Sequence, residues 1–149
     1  MARSAPRRLA SPLAGLAALS IALVACSSGV STTPLPSGAE PPADCARVDA
    51  SGVITLSADD LEFSAPCMVA NAGEAFTIRF TNDESVPHNV YVYRDSTKAN
   101  EVSRGDTISG PDQSIDDPVE ALDAGQYYFD CTIHPAEMNG ILYVVAAGS

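Results

Sequence analysis

The segment Tyr127-Tyr128-Phe129-Asp130-Cys131-Thr132-Ile133-His134-Pro135-Ala136-Glu137-Met138-Asn139-Gly140 decides how this chain is read. Tyr127, Phe129 and Cys131 alternate with Tyr128 and Asp130, the period of a β-strand with one buried face. Cys131, His134 and Met138 then fall within eight residues. Asn139-Gly140 is a turn signal, and Ile141 to Val145 is a β-branched and aromatic run that reads as the next strand. A strand, a tight loop with three soft or intermediate donors, and a returning strand make a compact unit.

The same period of two recurs upstream. Phe76, Ile78 and Phe80 alternate with Thr77, Arg79 and Thr81, and His88, Val90 and Val92 with Asn89, Tyr91 and Tyr93. Val53 to Leu56 and Leu61 to Phe63 read as shorter strands. Turn signals at Asn71-Ala72-Gly73, Asn82-Asp83, Gly110-Pro111-Asp112 and Asp123-Ala124-Gly125 punctuate them. Many short strands with such punctuation indicate an all-β sandwich or barrel. Residues 94–118 are polar and turn-rich and are expected to form a long connection holding at most a short strand or a turn of helix. Asp59-Asp60 and Asp116-Asp117 are expected to be solvated turns, since neither carries a flanking ladder of calcium ligands. Arg104-Gly105-Asp106 also reads as a turn.

Composition narrows the function. The 149 residues hold 8 Lys and Arg against 19 Asp and Glu, a net charge of −11, which excludes a phosphate-binding surface for nucleic acid. A hydrophobic share of 46% supports a core. The 2 histidines are too few for a multinuclear copper enzyme, and no P-loop, G-x-S-x-G or HExxH motif is present.

Residues 1–25 differ in composition from the rest. Arg3, Arg7 and Arg8 precede the apolar run Leu13 to Ala25, which is short for a bilayer span and reads as a signal peptide. Leu23-Val24-Ala25-Cys26 resembles the lipobox of bacterial lipoproteins. That resemblance implies cleavage before Cys26 and a lipid on its sulfur. The expected mature chain of 124 residues carries 5 basic and 19 acidic side chains, a net of −14. Residues 26–44 hold the lipidated Cys and a Pro- and Ser-rich stretch that cannot bury enough apolar surface to order, hence a tether. The folded unit is then 45–149. The expected location is the extracytoplasmic face of a bacterial membrane, at the cell surface or in the periplasm.

Of the 4 cysteines, Cys26 belongs to the lipobox, and Cys45 and Cys67 flank the first strands of an exported domain, where a disulfide is expected. Cys131 is left over, beside His134 and Met138. The other histidine lies in Pro87-His88-Asn89. Two imidazoles, a thiolate and a weak axial thioether suit copper, whereas a thioether is a poor fourth ligand for zinc.

Pro87-His88-Asn89, Cys131-x-x-His134-x-x-x-Met138-x-Gly140 and Phe76-x-Ile78-x-Phe80-x-Asn82 together resemble the cupredoxins, the small blue copper proteins of the plastocyanin, pseudoazurin and amicyanin type. The resemblance implies a Greek-key β-sandwich of about eight strands and one mononuclear type 1 copper. It implies His88, Cys131, His134 and Met138 as ligands and Asn89 as a brace between the ligand loops. Glu137, next to Met138, is the alternative axial ligand. Pro135 has no N–H to donate to the Cys131 sulfur. It further implies a non-enzymatic, monomeric carrier of single electrons between redox proteins such as a cytochrome or oxidase. The competing expectations are a copper-delivery protein and a copper-free interaction module.

Overall fold

The structure, a computed structural model, describes residues 40–146. The expectations for residues 1–25, for Cys26 and for most of the tether lie outside the described residues.

Twelve strands and no helix occur among the described residues: β1 (Ala46–Arg47), β2 (Val53–Asp59), β3 (Glu62–Phe63), β4 (Cys67–Asn71), β5 (Phe76–Asn82), β6 (Pro87–His88), β7 (Tyr91–Tyr93), β8 (Glu101–Arg104), β9 (Ile108–Ser109), β10 (Gln113–Val119), β11 (Gly125–Asp130) and β12 (Asn139–Val145). Four of them are two residues long, and the other eight match the number the resemblance implied. They form a six-stranded sheet β1-β4-β12-β11-β7-β8, a four-stranded sheet β10-β5-β2-β3 and the pair β6-β9. β4 runs parallel to β1 and β12, and β2 parallel to β5; the remaining pairs are antiparallel.

The alternation in the sequence becomes the core. Phe76, Ile78 and Phe80 of β5 and Ile54, Leu56 and Ala58 of β2 face Met68 and Ala70 of β4, Tyr127 and Phe129 of β11, and Leu142 and Val144 of β12 in one buried cluster. Phe63 stands between the sheets, its ring centroid 6.2 Å from Phe80 and 5.5 Å from Phe129. Such pairs add about 0.5–1.5 kcal/mol to plain area burial. Tyr127 is buried, and its hydroxyl donates to the Asp123 carbonyl at 3.0 Å, closing the turn into β11.

Cys45 and Cys67 form a disulfide across 22 residues, tying the entry of β1 to β4. A loop of that size contributes about 3 kcal/mol by restricting the unfolded chain. Residues 40–44, the end of the expected tether, are placed, and the Arg47 guanidinium donates to the Pro41 and Pro42 carbonyls at 3.4 and 3.3 Å.

Two linked expectations are corrected. Residues 94–118 are not a long connection: they hold β8, β9 and most of β10, a seven-residue strand paired along its length with β5. Its alternation is masked because Asp117 takes an inward, buried position between Ile115 and Val119. Pro118 is tolerated because β10 is an edge strand. Asp116-Asp117 is therefore strand rather than turn. Asp116 faces outward and accepts a bidentate pair from Arg79 on β5 at 2.7 and 2.8 Å.

Candidate metal centre

Cys131 follows β11 directly, and its side chain is fully buried. The loop after it is closed by its own backbone: the Cys131 N–H donates to the Met138 carbonyl and the Met138 N–H to the His134 carbonyl, both at 2.9 Å. The Asn139 side chain donates to the Pro135 and Ala136 carbonyls at 3.1 and 3.3 Å. Gly140 is required as the second residue of β12, since a Cβ there would collide with the Pro66 carbonyl oxygen and lie 2.5 Å from the Phe129 ring.

His88 arrives from β6, held by its pairing with Ile108 of β9. The loop before it is organised by the buried Asn82, whose amide donates to the Val86 and Ile108 carbonyls at 2.7 and 3.1 Å and whose oxygen accepts from the Glu84 N–H at 3.0 Å.

These two loops bring the donor atoms together. His88 Nδ1 lies 3.7 Å from Cys131 Sγ and 3.2 Å from His134 Nδ1, and the latter lies 4.0 Å from the sulfur. Metal–nitrogen bonds of about 2.0 Å and metal–sulfur bonds of about 2.3 Å allow donor separations up to about 4 Å, so one ion can serve all three atoms. Met138 is fully buried in the same cluster as Cys131, whereas Glu137 is exposed. A buried thiol, two imidazoles and a buried thioether are the donor chemistry that fits copper. Among the described residues a second grouping, Asp44 with Cys45 and Cys67, offers no thiolate because its sulfurs are bonded to each other.

Asn89 joins the ligand loops. Its side-chain oxygen accepts from the Thr132 N–H at 2.9 Å, and its amide donates to the Thr132 and Thr107 hydroxyls at 2.9 and 3.0 Å. Thr132 and Thr107 were not singled out in the sequence, and neither was Glu84. The Glu84 carboxylate accepts from the Leu61 N–H at 2.9 Å and meets His88 Nε2 at 2.8 Å. The Leu61 amide first, and the His88 ring with it, hold the Glu84 carboxyl below its ordinary range. Around His134, which is partly exposed, lie Pro135 and Ala136, both exposed, together with Ile133 at 40% exposure.

A family model described as copper-binding proteins of the plastocyanin/azurin family matches residues 50–145. No curated protein matches the chain. Among solved structures, the chain is similar to reduced auracyanin from Roseiflexus castenholzii, at 19% identity and a TM-score of 0.57 over 65% of this chain and 99% of that one. It is also similar to auracyanin A, a "blue" copper protein from Chloroflexus aurantiacus, at 21% identity and a TM-score of 0.53 over 62% and 98% of the two chains. These likenesses carry the fold; the family match spans nearly the whole described domain, and the donor set agrees with it. The cofactor is one mononuclear type 1 copper, and the chain belongs to the plastocyanin/azurin family of copper-binding proteins.

Proposed function

We propose that the protein is a lipid-anchored, extracytoplasmic carrier of single electrons, with His88, Cys131, His134 and Met138 as its copper ligands. The observation that carries this reading is the convergence of His88, Cys131 and His134, whose donor atoms all lie within 4.8 Å of one another in a mostly buried setting. Bound copper supplies a one-electron Cu(II)/Cu(I) couple. The chain supplies everything else. Cys131 provides a buried soft thiolate, the two Nδ1 atoms provide imidazole lone pairs, and the burial of Met138 beside Cys131 supports it over the exposed Glu137 as axial ligand.

A carrier works fastest when its ligands move little between oxidation states. The Asn89–Thr132 bonds, the Asn82 anchor and the backbone-closed loop 131–138 hold the donors in one arrangement from several directions. Pro135 has no N–H to donate to the Cys131 sulfur; such a donor would hold negative charge on the sulfur and favour the reduced site, so its absence favours the oxidised one. His134 is partly exposed, and its chain neighbours Ile133, Pro135 and Ala136 are exposed apolar residues from which a partner can displace water with little loss. The net charge of −14 expected of the mature chain favours partners with a basic face and steers their approach. The Leu23-Val24-Ala25-Cys26 lipobox supports lipid anchoring, which would keep the carrier at the membrane beside an oxidase or cytochrome.

The test is electron exchange. Reduced protein mixed in a stopped-flow instrument with an oxidised basic cytochrome is expected to transfer one electron per copper, at a rate that falls as salt rises. Metal handed to an apo-acceptor with no electron exchange would contradict the reading and favour copper delivery.

A further inference from the structure

His88 is fully buried, and each of its ring nitrogens has a defined neighbour. Nδ1 faces Cys131 and His134, while Nε2 lies 2.8 Å from Glu84 Oε1. An ionised carboxylate only accepts hydrogen bonds, so the Nε2 atom facing it carries a hydrogen, and in the neutral ring Nδ1 then keeps its lone pair. The same Glu84 oxygen accepts from the Leu61 N–H at 2.9 Å. Asp60 and Leu61, the two residues between β2 and β3, have φ of 51° and 61°. A two-residue hairpin with both φ positive ordinarily uses Asn-Gly. A leucine held there is a strained choice, and the strain sits where the turn's amide meets the carboxylate. Asn82 fixes the Glu84 backbone from the other side.

We propose that Glu84 is a positioning residue for the metal centre: it locks His88 in the tautomer that presents a bare Nδ1, and its charge biases the site toward oxidised copper. The proposal rests on the ligand reading above. The oxidised ion carries one more positive charge than the reduced ion, so a fixed anion behind the imidazole favours it. The strained turn and the Asn82 anchor keep that anion at one distance from the ring.

Two substitutions in the full-length protein separate the effects. Glu84→Gln keeps an acceptor and removes the charge. It is expected to preserve the His88 tautomer, read in the copper-free protein from imidazole ¹⁵N shifts, and to raise the reduction potential by about 59 mV or more, a tenfold shift of the one-electron equilibrium. Glu84→Ala removes both. It is expected to lose the tautomer preference and to release copper to a chelator at least tenfold faster. Asp60→Asn, an exposed carboxylate on the same turn, is the control and should change neither. An unaltered potential in Glu84→Gln, or a retained tautomer in Glu84→Ala, would overturn the proposal. Should wild type itself fail to take up copper, the ligand reading falls, while the ¹⁵N shifts still judge whether Glu84 sets the His88 tautomer.

Discussion

Asn89 and Thr132, 43 positions apart, are joined through backbone and side chain: the Thr132 N–H donates to the Asn89 oxygen at 2.9 Å, and the Asn89 amide donates to the Thr132 hydroxyl at 2.9 Å. One residue follows His88 and the other follows Cys131. The link therefore ties the two ligand-bearing segments together independently of any metal. Asn89→Ala leaves the Thr132 amide without that acceptor in a part-buried setting, at about 1–3 kcal/mol. The expected result is a lower urea midpoint for the copper-free protein and faster copper loss from the loaded one. Unchanged values in both measurements would show that the loops hold each other by other means.

Beside Cys131 lies a fully buried carboxylate, Asp130, whose ion-pair partner is Lys98 from the β7–β8 connection. The partnership raises the lysine pKa, with the Asp130 contact as the main cause. Lys98→Met strands the carboxylate and is expected to lower stability by about 2 kcal/mol, less than a wholly buried pair because Lys98 is 37% exposed. A raised lysine pKa means that the folded state binds the proton more tightly. The pair's contribution is thus complete below the ordinary value of 10.5 and drains away as pH climbs through the folded value above it. The gap between wild type and variant should accordingly narrow in strong alkali, and Lys98→Met with Asp130→Asn should recover most of the loss.

Asp117 of β10 presents the opposite sign. It is buried at 5% exposure, one oxygen has no partner, and burial pushes its carboxyl up from 3.8. The folded state holds that proton more tightly, so ionisation at neutral pH works against folding. Asp117→Asn is expected to stabilise the protein by about 1 kcal/mol at pH 7. The gain should shrink as pH falls through the folded pKa and vanish below 3.8. A gain independent of pH would mean that packing, not charge, is responsible.

The Cys45–Cys67 bridge should matter to stability and not to the metal. Replacing both cysteines with Ala is expected to lower the unfolding free energy by about 3 kcal/mol while leaving the visible spectrum of the loaded protein unaltered. A changed spectrum would show that strain at β4 reaches the ligand loops.

How much of this was legible in the sequence depended on the distance over which each signal operates. Phe76, Ile78 and Phe80 showed their strand because every second residue is a large apolar one, and the structure buries all three. Cys131, His134 and Met138 lay in one short loop, so their spacing was visible without knowing the fold. His88 needed a long-range contact, but the other histidine of the chain was the natural candidate for it. β10 stayed hidden because Asp117 occupies an inward slot that alternation reserves for apolar side chains, and Pro118 looks like a breaker until the strand is known to be an edge. Glu84 was illegible for another reason. A glutamate among 19 acidic residues looks like a solvated charge, and nothing in the letters shows that Leu61 turns left-handed to meet it.

The central claim is that Cys131, with both histidines, holds copper. It is tested most directly by adding one equivalent of Cu(II) to the purified protein and to Cys131→Ser, then recording visible and EPR spectra. The account predicts an intense blue thiolate-to-copper band with narrow copper hyperfine splitting in wild type, and neither in Cys131→Ser. A colourless wild type, or a variant whose spectra match it, would contradict the account.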